Sequence, residues 1–376
     1  MKNLTQEAKR ALAARVTRVR VDGTPQQAFE RLMRRHRAVG AAMSILHDGR
    51  VQATFTYGLA RRETRAPVTE RTVFRCASVS KLVLAMGALR LCEQGLLTLD
   101  GDIGEIFGFP VRNPRFPNVP ITLRQLLTHT AGLSDAGGYT RGQETLTQLL
   151  GKAENYLPHA PGAQFAYTNF GAGVAGCLME CAAGERLDTL MERLIFAPLG
   201  VKASFAPQRI ERQAEIANGY HVRPLLPPRL SYDAQALACA PLMPADWQRD
   251  YFIAPGRMLA ASGELAQLLA LLLSSDGQGI LAPESLAEMR CLQDGRGSVT
   301  SAGRGLNVAF LEDLFRPGRL CGHQGVAYGM CCELWGDPQT GDGVVFQTNG
   351  ARLSHGGSLM HVGADAITLG FAMLQQ

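Results

Sequence analysis

The chain has 376 residues, 46% hydrophobic and 19% charged, enough apolar material for two domains or one large one. Its 38 basic and 33 acidic residues leave a net charge of +5, which is too small to imply a polyanionic partner. The longest apolar run, Leu82 to Leu89, is too short to cross a bilayer and ends at Arg90, so no membrane partner is expected.

In chain order, basic residues come first: Lys9, Arg10, Arg15, Arg18 and Arg20, then Arg31, Arg34, Arg35 and Arg37. No aromatic residue precedes Phe29 to stack a base, so they read as the solvated face of one or two helices, with no nucleic-acid partner. Ala41–His47 and Val51–Tyr57 are rich in strand formers, and Asp48-Gly49 between them predicts a tight hairpin. A helix follows from about Ser78 to a stop near Gly95. Apolar residues nearly surround it, which predicts a central, buried position. Thr122 and Gln125 form a capping box opening Leu123–His129. Asn169–Ala183 and Asp188–Ala197 read as two more helices, the second ended by Pro198-Leu199-Gly200.

Residues 205–257 read as loop, with seven prolines and the aromatics Tyr220, Tyr232, Trp247, Tyr251 and Phe252. Such a stretch either walls a pocket or is a surface excursion packed by its own aromatics. Beyond it come a helix over Gly263–Ser274, strands over Leu306–Leu311, Val326–Trp335 and Val344–Thr348, and a final helix over Leu359–Leu374. No repeat is visible. Strands at both ends with helices between predict an α+β fold. Residues 1–76 and 245–376 would build an antiparallel sheet domain, residues 77–244 a mostly helical insertion, and the active site would lie where they meet.

Nine cysteines are scattered without zinc-knuckle or CxxC spacing. Cys177 and Cys181 read as small core residues. A disulfide framework is not expected, and the first residues lack a signal peptide's apolar core, so a cytoplasmic location is expected.

Three motifs suggest chemistry. Ser78-Val-Ser-Lys81 opens the buried helix, and residues three apart share a helix face, so the hydroxyl and amine can touch. Serine needs a neighbour to take its proton, and a desolvated lysine becomes a usable base. Only one of the five lysines has a serine three residues before it. Tyr167-Thr-Asn169 is the one YxN among eight tyrosines. A phenol beside a cation becomes a base, and the Asn169 amide can hold either a substrate carbonyl or the lysine. Gly322-His323-Gln324-Gly325 opens the strand at Val326. The histidine there can donate to a carboxylate or carbonyl, and the glycine lets substrate approach the strand. His47-Asp-Gly49 and His355-Gly-Gly357 share the HxG pattern but lack a following strand of the right kind.

Serine, tyrosine and HxG in this order resemble the class C β-lactamase-like family of β-lactamases, penicillin-binding proteins, D-aminopeptidases and esterases. Supporting stretches are Phe74–Lys81, Leu126–Leu133, Phe165–Gly171, Pro198–Gly200 and Ile280–Leu286. The resemblance implies the β-lactamase/transpeptidase-like fold and a serine hydrolase working through an acyl-enzyme. It makes Ser78 the nucleophile, with Lys81 and Tyr167 sharing the general-base role. The backbone N–H groups of Ser78 and Val326 would form the oxyanion hole, and Asn169, His323 and Gly325 would bind substrate. No metal or other cofactor is implied. There is no Lys-Thr-Gly; His323 stands where that lysine would be, and holds a carboxylate only when protonated. That favours a small ester or amide over a β-lactam or D-amino-acid peptide. A binding protein that kept the fold but lost turnover is the reading of a different class. GxSxG and HxHxD are absent, which removes the α/β-hydrolase and zinc-lactamase readings. Gly295-Arg-Gly297 and Gly303-Arg-Gly305 read as turns.

Overall fold

The computed structural model describes residues 19–137, 144–293, 303–356 and 359–375. Lys9 to Arg18 and Gly295–Gly297 lie outside these residues. Helix α1 (Pro25–Arg35) begins with a reciprocal cap between Thr24 and Gln27. It buries Phe29, Leu32 and Met33, while Arg31, Arg34 and Arg37 face solvent as expected. The predicted hairpin is present as β1 (Gly40–His47) and β2 (Arg50–Arg61). Asp48 and Gly49 both have left-handed φ, 50° and 70°, and this turn matches the strand twist.

The remaining strands are β3 (Ala66–Pro67), β4 (Gly303–Arg304), β5 (Ala309–Glu312), β6 (Arg319–Ala327), β7 (Met330–Gly336) and β8 (Gly343–Thr348). They form one antiparallel sheet in the order β3-β2-β1-β8-β7-β6-β5-β4. The seam between early and late strands is β1 on β8, from Ala41 opposite Thr348 to Leu46 opposite Gly343. Alternation along β8 sorts the two faces. Val344 and Phe346 join a core with Phe29 of α1 and Ile367 and Phe371 of the terminal helix. Val345 points the other way, into a core with Leu265 and Leu269.

That second core also receives the mostly apolar helix α2 (Val79–Glu93), buried as predicted, and α3 (Asn169–Ala183), which has the predicted bounds. α4 (Ser262–Leu273) lies between these helices and the sheet, and α5 (His361–Met373) covers the opposite face. The segment read as one helix over Asp188–Ala197 is a helix, Leu187–Met191, that widens over Glu192–Phe196 and ends at Gly200 in a left-handed cap.

Two strand assignments change. Val326–Trp335 is not one strand: Tyr328 and Gly329, with φ 53° and 82°, make a tight turn between β6 and β7. Apolar residues run through that turn and hid it. Leu306–Leu311 starts later, at Ala309, because Asn307 turns the chain with φ 52°. Residues 205–257 are not wholly loop. They hold a short hairpin, Gly219–His221 with Arg229–Tyr232, and a helix, Ala234–Cys239. Gly303-Arg304, read as part of a turn, is instead the short edge strand β4, paired with Phe310 and Ala309 of β5.

Candidate active site

The chain enters the site along Val73–Arg75, which pairs with Leu259–Ala261. It then bends sharply at Ala77, whose φ of 48° is left-handed. A residue with a Cβ sits there at a cost of ~1–2 kcal/mol, held by its surroundings. Ser80 Oγ donates to Ala77 O at 2.6 Å and accepts from Met258 N–H at 3.1 Å, which fastens the bend. Ser78 follows at the N-cap of α2 and makes no side-chain capping bond, so its hydroxyl is free for other partners. The positive end of the helix lies at that residue.

Two side chains converge on Ser78 Oγ. The Tyr167 hydroxyl donates to it at 2.7 Å, and Lys81 Nζ lies 3.1 Å away. Lys81 is fully buried and does not reach for solvent. Its amine also donates to Pro255 O at 2.6 Å and to Asn169 Oδ1 at 2.8 Å. Burial holds its pKa below the usual lysine range, although Tyr167 and Asp135 pull it back up. Asn169 is in turn held by Asp135, whose carboxylate accepts from the Asn169 backbone and side-chain N–H groups at 3.1 and 3.2 Å. The same carboxylate takes Phe170 N–H at 2.8 Å and Thr168 Oγ1 at 2.5 Å, capping α3.

Ser78, Tyr167, Asn169 and Val326 all line one open cavity of about 930 Å³. Its far wall comes from the 205–257 stretch: Tyr232, Asp233, Leu237, Phe252 and Arg257. Both readings of that stretch are therefore partly met, because Trp247 stacks on Phe107 and Tyr251 is buried in the core.

A model of the Beta-lactamase family matches residues 25–362. The chain belongs to the Beta-lactamase family. It is 32% identical to Esterase EstB of Burkholderia gladioli over 196 residues, 46% of this chain and 48% of that one. It is 30% identical to a β-lactamase of Pseudomonas fluorescens, over 51% of this chain and 52% of the other. The chain thus spans about half the length of the curated relatives it matches. Among solved structures, EstCE1, described as a hydrolase with promiscuous acyltransferase activity, is 27% identical with a TM-score of 0.72. The match covers 97% of this chain and 99% of EstCE1. The octameric penicillin-binding protein homologue from Pyrococcus abyssi has a TM-score of 0.73 at 21% identity, covering 92% and 75%.

Within this family fold the third motif differs from expectation. His323 lies inside β6 rather than ahead of it, is 4% exposed, and does not line the cavity. Its Nδ1 contacts Gln324 O at 2.6 Å. Burial, with Arg304 and Lys81 nearby, pushes its pKa down to about 3. It is therefore neutral near pH 7 and carries no charge with which to hold a substrate carboxylate. Gly325 is needed for a reason other than substrate approach. A Cβ there would sit 2.3 Å from Cys76 O and 2.8 Å from Ser78 N, so only glycine lets β6 lie against the bend before the nucleophile.

Two contributors escaped the sequence reading. Asp135 had a visible signal, an acidic residue shortly after Leu126–Leu133, but its partners are 33 to 35 residues away. His129 has a left-handed φ of 57°, and its ring packs on Tyr167 with centroids 4.6 Å apart. Among the described residues no cluster of His, Cys, Asp or Glu is placed to hold a metal, and no helix is long and apolar enough to cross a membrane.

Proposed function

We propose that this protein is a serine hydrolase that cleaves a small ester or amide through an acyl-enzyme at Ser78. The observation that supports it best is the convergence of Tyr167 and Lys81 on one hydroxyl that no structural bond occupies. A neutral Lys81 amine has two N–H groups and one lone pair. Pro255 O and Asn169 Oδ1 take the two N–H groups, which leaves the lone pair facing Ser78 Oγ. Burial favours that neutral form.

In the acylation step the Ser78 hydroxyl proton passes to Lys81 Nζ while Oγ bonds to the substrate carbonyl carbon. The carbonyl oxygen becomes an oxyanion, for which the backbone N–H groups of Ser78 and Val326 are the proposed donors. Removing such a donor typically costs ~2.7–4 kcal/mol of transition-state stabilisation. When the intermediate collapses, the C–O or C–N bond to the leaving group breaks. Tyr167 gives the leaving group its phenolic proton and regains one from the neighbouring Lys81, whose amine, protonated by Ser78, lies 5.0 Å from the centre of its ring. Water then attacks the acyl carbon, gives up a proton to the same pair, and Ser78 is released with its proton restored.

With His323 neutral and off the cavity, the third motif supplies no charge for a penicillin-like carboxylate. The likeness to EstB supports an ester or amide. The β-lactamase or D-amino-acid peptidase reading has its support in the other relatives. A panel of short-chain p-nitrophenyl esters, D-amino-acid amides and nitrocefin separates these readings. We expect the esters to turn over fastest and mass spectrometry of trapped enzyme to place the acyl group on Ser78. Rapid nitrocefin turnover without ester hydrolysis would favour the second reading. No labelling by a covalent serine probe would favour a binding protein.

Two further proposals accompany this one. Residues 77–244 form the helical insertion between the halves of the sheet domain, supported by α2, α3 and the three short helices between them sharing one core. The protein works in the reducing cytoplasm, supported by nine free cysteines.

A further inference from the structure

The substrate cavity contains two guanidinium groups and no carboxylate that neutralises either. Arg75 and Arg257 both line it and are both half-buried. Among the described residues neither forms an ion pair. Other half-buried arginines do have such partners, among them Arg112 with Asp102, Arg124 with Asp100 and Glu288, and Arg212 with Glu264.

Aromatic faces hold these two instead. The Arg75 guanidinium lies 5.1 Å from the Tyr232 ring and 4.8 Å from the Tyr328 ring, and its Nε donates to Gly256 O at 2.7 Å. That of Arg257 lies 5.3 Å from the Phe252 ring. An aromatic face orients a guanidinium plane and partly offsets its desolvation, but it leaves the charge and most N–H groups unspent. Asp233, the one acidic residue on the cavity wall, turns its carboxylate to Ala236 N–H and caps its own helix. Burial and the neighbouring Arg75 charge hold the Arg257 pKa below its ordinary value, although Tyr232 and the more distant Asp250 carboxylate, which forms no ion pair with it, pull it partly back up.

The position of these residues is set by the nucleophile. Pro255 accepts from Lys81, Gly256 lies against Ala77, and Arg257 is next in the chain. Arg75 is three residues before Ser78. Partly desolvated cations of this kind are a recurring way to bind carboxylate or phosphate, which a guanidinium meets with two parallel N–H bonds.

We propose that Arg75 and Arg257 form an anion subsite, so that the preferred substrate is an ester or amide bearing a carboxylate or comparable negative group. This rests on the hydrolase reading above and adds the substrate's charge to it. The anion belongs to either the acyl part or the leaving group, and the test separates these.

The test compares p-nitrophenyl butyrate with mono-p-nitrophenyl glutarate, and methyl 4-acetoxybenzoate with 4-acetoxybenzoate. We expect one anionic ester to exceed its neutral counterpart at least about tenfold in kcat/KM, mostly through KM. In Arg257→Gln that ratio falls to about one, and in Arg257→Lys it lies between. Losing a desolvated charge partner is commonly worth a factor of about 30 or more, so the collapse is measurable. Neither anionic ester being preferred by the wild type, or a ratio unmoved by Arg257→Gln, overturns the proposal. Should Arg257→Gln fail to fold, calorimetry of glutarate and benzoate on the wild type decides. Binding that competes with ester hydrolysis and weakens with salt supports the subsite, and no binding at tens of millimolar removes it. Neutral ester hydrolysis and Ser78 labelling report on the hydrolase reading separately, so either can fail without the other.

Discussion

The two sides of Ser78 are built differently. On the helical side, side chains make the site: Tyr167 and Lys81 on Ser78, Asn169 on Lys81, Asp135 on Asn169. On the strand side, β6 contributes a bare backbone at Gly325 and a histidine whose Nε2 is buried without a hydrogen-bond partner. Proton transfer needs side chains held by networks, while oxyanion binding needs only backbone at close range. Substitutions on the two sides should therefore fail in different ways.

The largest effect belongs to the helical side. Ser78→Ala should lower kcat by a factor on the order of 10⁴ or more on p-nitrophenyl acetate, and Lys81→Ala nearly as much, with KM little changed. His323→Leu should leave kcat/KM on that substrate within about threefold, because the ring does not line the cavity. A loss at His323 as large as at Lys81 would erase the distinction between the sides.

The strand side is broken through its glycine. Gly325→Val places a Cβ where Cys76 O and Ser78 N now lie, so β6 must move off the bend. A drop in kcat of about 10²–10³-fold is expected, the size of one lost oxyanion donor, together with a lowered Tm. Wild-type kcat in that variant would show that β6 has no part in the oxyanion hole. Asp135→Asn comes next. An amide has one acceptor oxygen where the carboxylate serves four donors, so Asn169 and Lys81 loosen. About 10²-fold in kcat is expected from a misplacement on the ångström scale, with KM nearly constant. A change confined to KM would move Asp135 from positioning to substrate binding.

The same division explains what could be read before the fold was known. Ser78 and Lys81 are three residues apart, so helix geometry alone brings them together. Tyr167 and Asn169 stand at the start of a helix whose two ends are marked by Thr168 and Gly184. The sheet order is less legible, because pairing β1 with β8 joins residues some 300 apart in the chain. β6 and β7 fused into one predicted strand since Tyr328-Gly329 lacks the polar residues that usually mark a turn. His323 was placed in the site by its neighbours in sequence, but its surroundings come from Lys81 and Arg304, far away in the chain, and they make it neutral. Asp135 was missed for the same reason: its meaning lies in the residues it meets.

The smallest effect is in stability, and it tests whether His323 is a neutral core residue. The ordinary histidine value is near 6.5, and in the folded protein it falls to about 3. Between these values the unfolded chain binds a proton that the native state does not. Stability is therefore present above about pH 6.5 and is lost on acidification, at most ~1.4 kcal/mol per pH unit from this group. His129, also pushed down by burial, adds in the same direction. Glu333 opposes them. Buried beneath Gln324 and Trp335, it is pushed up to about 8, so the native state keeps a proton that the unfolded chain releases above about 4.5. Its contribution is present at low pH and is lost as pH rises towards 8. Between pH 6.5 and 8 the Glu333 contribution acts alone, and below 4.5 the histidine contribution does. Calorimetric Tm curves of wild type and His323→Leu should thus run parallel above pH 6.5 and change their separation below it, while Glu333→Gln and wild type should differ in slope from about pH 4.5 to 8 and run parallel below that. Parallel wild-type and His323→Leu curves from pH 3 to 8 would mean that His323 takes up its proton in the fold as readily as in the unfolded chain, so that the strand side gains a charge below about pH 6.5.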